Sequence, residues 1–124
     1  LIEYVYYFSL LTLLILYLYP GSLLGYFLYD NLGQQPNLIA SPIGTSINHL
    51  IFFSYITLLS IIVRLRVKNI FNNYKLILFF SCILEISHLI VPNRAFELYD
   101  LIANTSGVII VLLINSLIKW KKFF

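Results

Sequence analysis

The residues able to do chemistry are few, and they cluster in sequence. Glu85 and His88 are three apart and share one face of a helix. Asp100, Asn104 and Gly107 follow an i, i+4, i+7 pattern on one stripe of another helix, Arg94 lies between the two groups, and His49 lies upstream. A carboxylate beside an imidazole can hydrogen-bond a polar ligand, relay a proton or help to hold a cation, and an arginine fork suits a phosphate. Glu-x-x-His is half of the motif with which four-helix bundles hold carboxylate-bridged metals. The second copy is missing here, so Asp100 and His49 would have to complete the shell. The expectation is therefore a polar network of Glu85, His88, His49 and Asn104, with no metal and no cofactor. Ser87 and Thr105 stand in no Ser-His-acid arrangement, and no glycine loop could cradle a phosphate, so the sequence leans against an enzyme.

These residues must be positioned by elements that live in lipid. Of 124 residues, 60% are hydrophobic and 10% charged, with a mean hydropathy of +0.91, which leaves too little polar material to coat a soluble globule. Four crossings of roughly 20 residues each would use most of the chain and leave no extramembrane domain. The expected fold is an all-α integral membrane four-helix bundle in one domain, with spans at about residues 4–28, 47–63, 74–91 and 100–118. Pro20-Gly21 kinks or ends the first apolar run, which reads as a permanent anchor rather than a cleaved signal. The sequence contains no methionine and starts at Leu1, which leaves open whether residues precede it. Residues Asp30 to Ser46, with two prolines and two glycines, form the longest connection. Pro92-Asn93 stops the third span, and Lys119-Trp120-Lys121-Lys122 anchors the end of the fourth.

Charge sets the orientation. Arg64, Arg66, Lys68 and Lys75 flank the connection between the second and third spans, and Lys119, Lys121 and Lys122 follow the fourth. Only Arg94 falls on the opposite side, with Asp30, Glu97 and Asp100. The positive-inside rule then places both termini in the cytoplasm and makes the chain a multi-pass protein of a bacterial inner membrane. The same grouping accounts for the net charge of +3 without nucleic acid. The lone Cys82 excludes an intrachain disulfide.

In that topology the start of span two, the end of span three and the start of span four meet at the outer surface, and the polar residues collect there. At 1.5 Å per residue, Glu85 lies about 10 Å and His88 about 6 Å below Pro92. An ionisable group facing acyl chains costs roughly 2.5 kcal/mol or more, so Glu85 should face the bundle interior or a wet pocket with a partner. The stripe of Glu85 and His88 is expected to face that of Asp100, Asn104 and Gly107.

These motifs carry a family likeness. Glu85-Ile-Ser-His88, then Pro92-Asn93-Arg94-Ala95-Phe96, then Asp100-Leu-Ile-Ala-Asn104-Thr-Ser-Gly107 resembles the VanZ-like membrane proteins, whose pattern runs Glu-x-x-Gln, Arg, Asp-x-x-x-Asn-x-x-Gly. His49 with Phe52, Phe53 and Tyr55 agrees with the upstream part of that pattern, and the likeness covers about residues 47–114. Two positions depart: Thr45-Ser46 stands where the family often has Asp-Lys, and His88 replaces its Gln. The resemblance implies four spans and an accessory role of the kind found in glycopeptide (teicoplanin) resistance.

Individual roles leave alternatives open. Asp100 could cap the start of span four or pair with Arg94, and Arg94 could instead contact lipid phosphate. The expected binding residues are His49, Glu85, His88, Arg94, Asp100, Asn104 and Gly107, engaging membrane lipid headgroups or cell-envelope intermediates. A second reading makes the chain a small accessory subunit of a larger respiratory or photosynthetic membrane complex, present for its lipid-embedded, aromatic-rich surface.

Overall fold

The computed structural model describes residues 1–36 and 44–121, the side chain of Thr45 excepted. Among them are five helices and no strand: α1 (Ile2–Leu18), α2 (Leu23–Tyr29), α3 (Gly44–Arg64), α4 (Tyr74–Ser87) and α5 (Leu98–Lys121). The middle of the Asp30–Ser46 connection and Lys122 lie outside the described residues.

The first apolar run divides in two, as local chemistry dictates. A residue before proline is pushed to extended backbone, and Tyr19 adopts φ −69°, ψ 133°. Gly21 follows at φ +102°, a conformation open to glycine, and Ser22 then caps α2 by accepting from the Gly25 N–H at 3.0 Å. The two helices meet at 88°, so residues 4–28 are a broken span or a re-entrant turn rather than one continuous rod.

By length and composition α3 and α5 can each cross a membrane, and the α1–α2 pair qualifies if taken as one span. α4 does not reach this length, because its regular part ends at Ser87 rather than continuing to residue 91. From His88 onward the chain tightens: Leu89 and Ile90 donate to Ile86 and Ser87, three residues back. Pro92, which has no N–H, and Asn93, at φ +58°, then end the winding.

Interior packing follows one stripe per helix. Tyr6, Leu10, Leu13 and Tyr17 recur along α1 and pack with Phe53, Ile56 and Val63 of α3, Ile77 and Leu84 of α4, and Val108 of α5. Most other large apolar side chains point outward, as a lipid solvent permits. α3 and α5 approach closely at Gly107, where an added Cβ would lie 2.6 Å from the Leu50 carbonyl oxygen and 3.1 Å from the Ser54 nitrogen. Ser54 Oγ donates across this contact to the Gly107 carbonyl at 3.3 Å.

Polar residues tie the end opposite the cluster. The Tyr6 hydroxyl donates to the Phe71 carbonyl at 2.5 Å, which holds the start of α1 against the α3–α4 connection. Fully buried Asn72 organises that connection, donating to the Val67 carbonyl at 2.7 Å and accepting from the Asn69 N–H at 3.1 Å. Arg64, Lys68 and Lys119 line one cleft at this end, which gathers basic residues from the end of α3, the α3–α4 connection and the last turn of α5.

Candidate functional site

At the other end, five of the seven residues singled out in the sequence converge. His49 enters from the start of α3, Glu85 and His88 from the end of α4, and Asp100 and Asn104 from the start of α5. Glu85 and Asn104 are fully buried. His49 Nε2 lies 3.6 Å from Asp100 Oδ2, its Nδ1 lies 4.0 Å from Glu85 Oε2, and His88 Nδ1 lies 3.3 Å from Glu85 Oε1. The expectation that Glu85 faces inward with partners holds.

Two further residues complete the cluster. Tyr17, on the buried stripe of α1, brings its hydroxyl to 2.6 Å from His49 Nδ1 and 2.7 Å from Asn104 Oδ1, while its ring stacks on His88 at 5.4 Å. Ser46 Oγ donates to Asp100 Oδ1 at 2.5 Å. A tyrosine hydroxyl inside an apolar helix needs a partner, and this was the available signal for Tyr17. Ser46 carried the weaker signal of standing where related sequences often place a charge.

The hydrogen bonds fix the order of donors and acceptors. Asn104 Nδ2 donates to the Ser81 carbonyl at 3.3 Å, which orients the amide and leaves Oδ1 to accept from Tyr17. With its single proton given to Asn104, the Tyr17 oxygen accepts from His49 Nδ1–H. His88 Nε2 donates to the Tyr17 carbonyl at 3.1 Å. Glu85 Oε1 accepts the Glu97 backbone N–H at 3.1 Å, whereas Glu85 Oε2 is buried with no hydrogen-bond partner.

Arg94 is not joined to Asp100 by an ion pair, so the pairing that was one of the alternatives read from the sequence is not formed. Its guanidinium turns to the end of α1, where Nε donates to the Tyr19 carbonyl at 3.3 Å and an Nη donates to the Leu16 carbonyl. These carbonyls have lost their helical donors at the Pro20 break, so a cation there satisfies both the free acceptors and the negative helix end. Burial lowers the Arg94 pKa from its ordinary value, while Tyr17, Glu85 and Asp100 oppose that shift. The neighbouring Glu97 carboxyl is raised above its ordinary value, first by burial and then by Asp100 and Glu85.

Gly107 stands apart from the polar contacts, in the α3–α5 packing one turn beyond Asn104. The stripe of Asp100, Asn104 and Gly107 thus faces several helices rather than α4 alone. Ser87 and Thr105 hydroxyls donate to carbonyls of their own helices, Leu84 at 2.6 Å and Leu101 at 2.9 Å. Beside the cluster lies a cavity of about 110 Å³ bounded by α1, α2 and α3, its lining including Leu13, Leu16, Leu24 and Phe52 as well as Tyr17, His49, His88 and Arg94.

Apolar helices enclosing a buried acid, histidine and amide network define a helical membrane protein with an internal polar site. The family model described as VanZ/LLP1 matches residues 4–119, nearly the whole chain, and the protein belongs to that family. The searches of curated proteins and of solved structures give no match.

Proposed function

We propose that this VanZ-like protein crosses a bacterial inner membrane four times with both termini in the cytoplasm. Its polar cavity, near the outer leaflet, engages the phosphate-bearing head of a lipid or a lipid-linked cell-envelope intermediate. The observation that carries this reading is the mixed lining of the cavity, in which leucines and Phe52 stand together with Arg94, His49 and His88. An amphiphile matches both kinds of lining residue, whereas a free ion uses only the polar ones and a purely apolar chain leaves buried polar groups without a ligand. Arg94, anchored by the end of α1, supplies positive charge at the rim.

Four crossings draw support from two features. The start of α1, the α3–α4 connection and the end of α5 gather at the end opposite the cluster, and seven of the eight basic residues belong to that end in sequence. With the tightened turn after Ser87, residues 74–91 supply a path to the opposite surface.

The test is native mass spectrometry of the full chain in lipid nanodiscs, offered a polyprenyl phosphate or the corresponding uncharged polyprenol. Selective retention of the phosphate form is expected, by roughly tenfold or more for a charge-assisted contact. Equal retention of both, or of neither, contradicts the reading. Comigration with a large assembly after mild detergent extraction would favour the accessory-subunit reading instead.

A further inference from the structure

We infer that His49, Glu85 and Asp100 form a binding site for one divalent transition-metal cation, with Zn²⁺ or Mn²⁺ as the class that suits one imidazole and two carboxylates. The inference stands on the ligand geometry and does not depend on lipid binding.

One ligand atom from each of the three residues lies within 4.8 Å of the other two. A bound ion holds such atoms at about 2.0–2.2 Å, which puts neighbouring ligands roughly 3–3.5 Å apart. The 3.6 Å separation of His49 Nε2 and Asp100 Oδ2 nearly meets this spacing already.

The second and independent observation is Glu85 Oε2, an oxygen on a fully buried side chain that has no hydrogen-bond partner. An unsatisfied carboxylate oxygen at such depth is expensive unless something cationic faces it. The donor order in the cluster sharpens the point. Around His49 Nδ1 stand the Tyr17 hydroxyl, Asn104 Oδ1 at 3.2 Å and Glu85 Oε2, and the hydroxyl proton is committed to Asn104, so Nδ1 carries the ring proton. In the neutral ring this directs the Nε2 lone pair at the Asp100 carboxylate. Two acceptors facing one another call for a cation between them.

The outer atoms of the proposed ligands are also held in place. Tyr17 fixes the His49 ring, Ser46 holds Asp100 Oδ1, and the Glu97 N–H holds Glu85 Oε1. Metal-binding histidines characteristically donate their second N–H in this way, and ligating carboxylates are similarly braced. His49 belongs also to the cavity wall, so the ion would sit beside the cavity. The competing occupant is a proton on Nε2, which would make an imidazolium ion-paired to Asp100.

The experiment uses the full wild-type chain, purified in detergent without chelator or added lipid. It is stripped, offered Zn²⁺ or Mn²⁺, and desalted for elemental analysis. About one equivalent of one of these metals should remain bound. Affinity should fall by roughly tenfold or more in His49→Ala and in Asp100→Asn, the latter keeping an acceptor for Ser46. Chelation of the wild type should lower its thermal midpoint and metal should restore it, a readout that needs no variant to fold. Failure of the wild type to retain either metal overturns the inference. Full retention in both folded variants also overturns it.

Discussion

Tyr17 holds the polar cluster together. Its hydroxyl links α1 to His49 of α3 and Asn104 of α5, and its ring stacks on His88 of α4. Tyr17→Phe keeps the ring but removes both hydrogen bonds of the hydroxyl, leaving His49 Nδ1 and Asn104 Oδ1 only their direct 3.2 Å contact. Interhelical hydrogen bonds in membranes contribute about 0.6–2 kcal/mol, so a loss of about 1–2 kcal/mol is expected in unfolding from mixed micelles. No measurable loss would show that the cluster rearranges freely. The sequence made His49, Glu85, His88, Asp100 and Asn104 legible because ionisable and amide groups are rare in apolar helices and their cost forces them inward. Tyr17 was hidden among ten tyrosines, most of which have no such constraint. Arg94 was legible as a special residue, but its partner was not. The carbonyls it meets are freed by the break at Pro20, some seventy residues earlier, and backbone acceptors leave no trace in residue identity.

At the scale of elements, the contact between α3 and α5 is set by Gly107. A methyl group usually favours a helix by about 1 kcal/mol relative to glycine. Here the new Cβ would meet backbone at 2.6 Å, which cannot swing aside as a side chain could. Overpacking of this kind costs about 1–3 kcal/mol, so the clash should win and Gly107→Ala should unfold at a lower temperature than the wild type. An unchanged or raised midpoint would show that the helices slide apart without loss. The small residue and its spacing were readable in the sequence, but the helix that it meets was not, because an i, i+7 pattern fixes a face and not the neighbour. The ends of the first and third apolar runs were also only partly legible. Hydropathy continues through Pro20 and past Ser87, whereas backbone geometry interrupts the helix at both places.

For the whole molecule, the polar groups separate into two ends. One holds the cluster of carboxylates, histidines and amides, and the other the basic residues and the Asn72-centred connection. The proposed crossing by α4 makes a direct prediction for a chain in which Cys82 is replaced by Ser. Lys68→Cys, exposed in the α3–α4 connection, should react with a membrane-impermeant maleimide only after permeabilisation, and exposed Glu97→Cys should react in intact cells. Labelling of both from the same side would show that residues 74–91 do not cross. The overall membrane character was plain from composition, since 60% hydrophobic residues cannot be hidden inside 124. The cavity was not, because α2 turns away at 88° and brings Leu24 near residues that are distant in sequence.

The central claim is that this cavity opens on the outer side and receives the charged head of an amphiphile. Leu24, half-exposed on the cavity wall, allows it to be probed directly. In the Cys82→Ser background, Leu24→Cys should be labelled by an impermeant thiol reagent applied from outside. A polyprenyl phosphate should slow that labelling while the uncharged polyprenol at the same concentration leaves it unchanged. Equal protection by both compounds, or labelling only from the cytoplasmic side, would contradict the account.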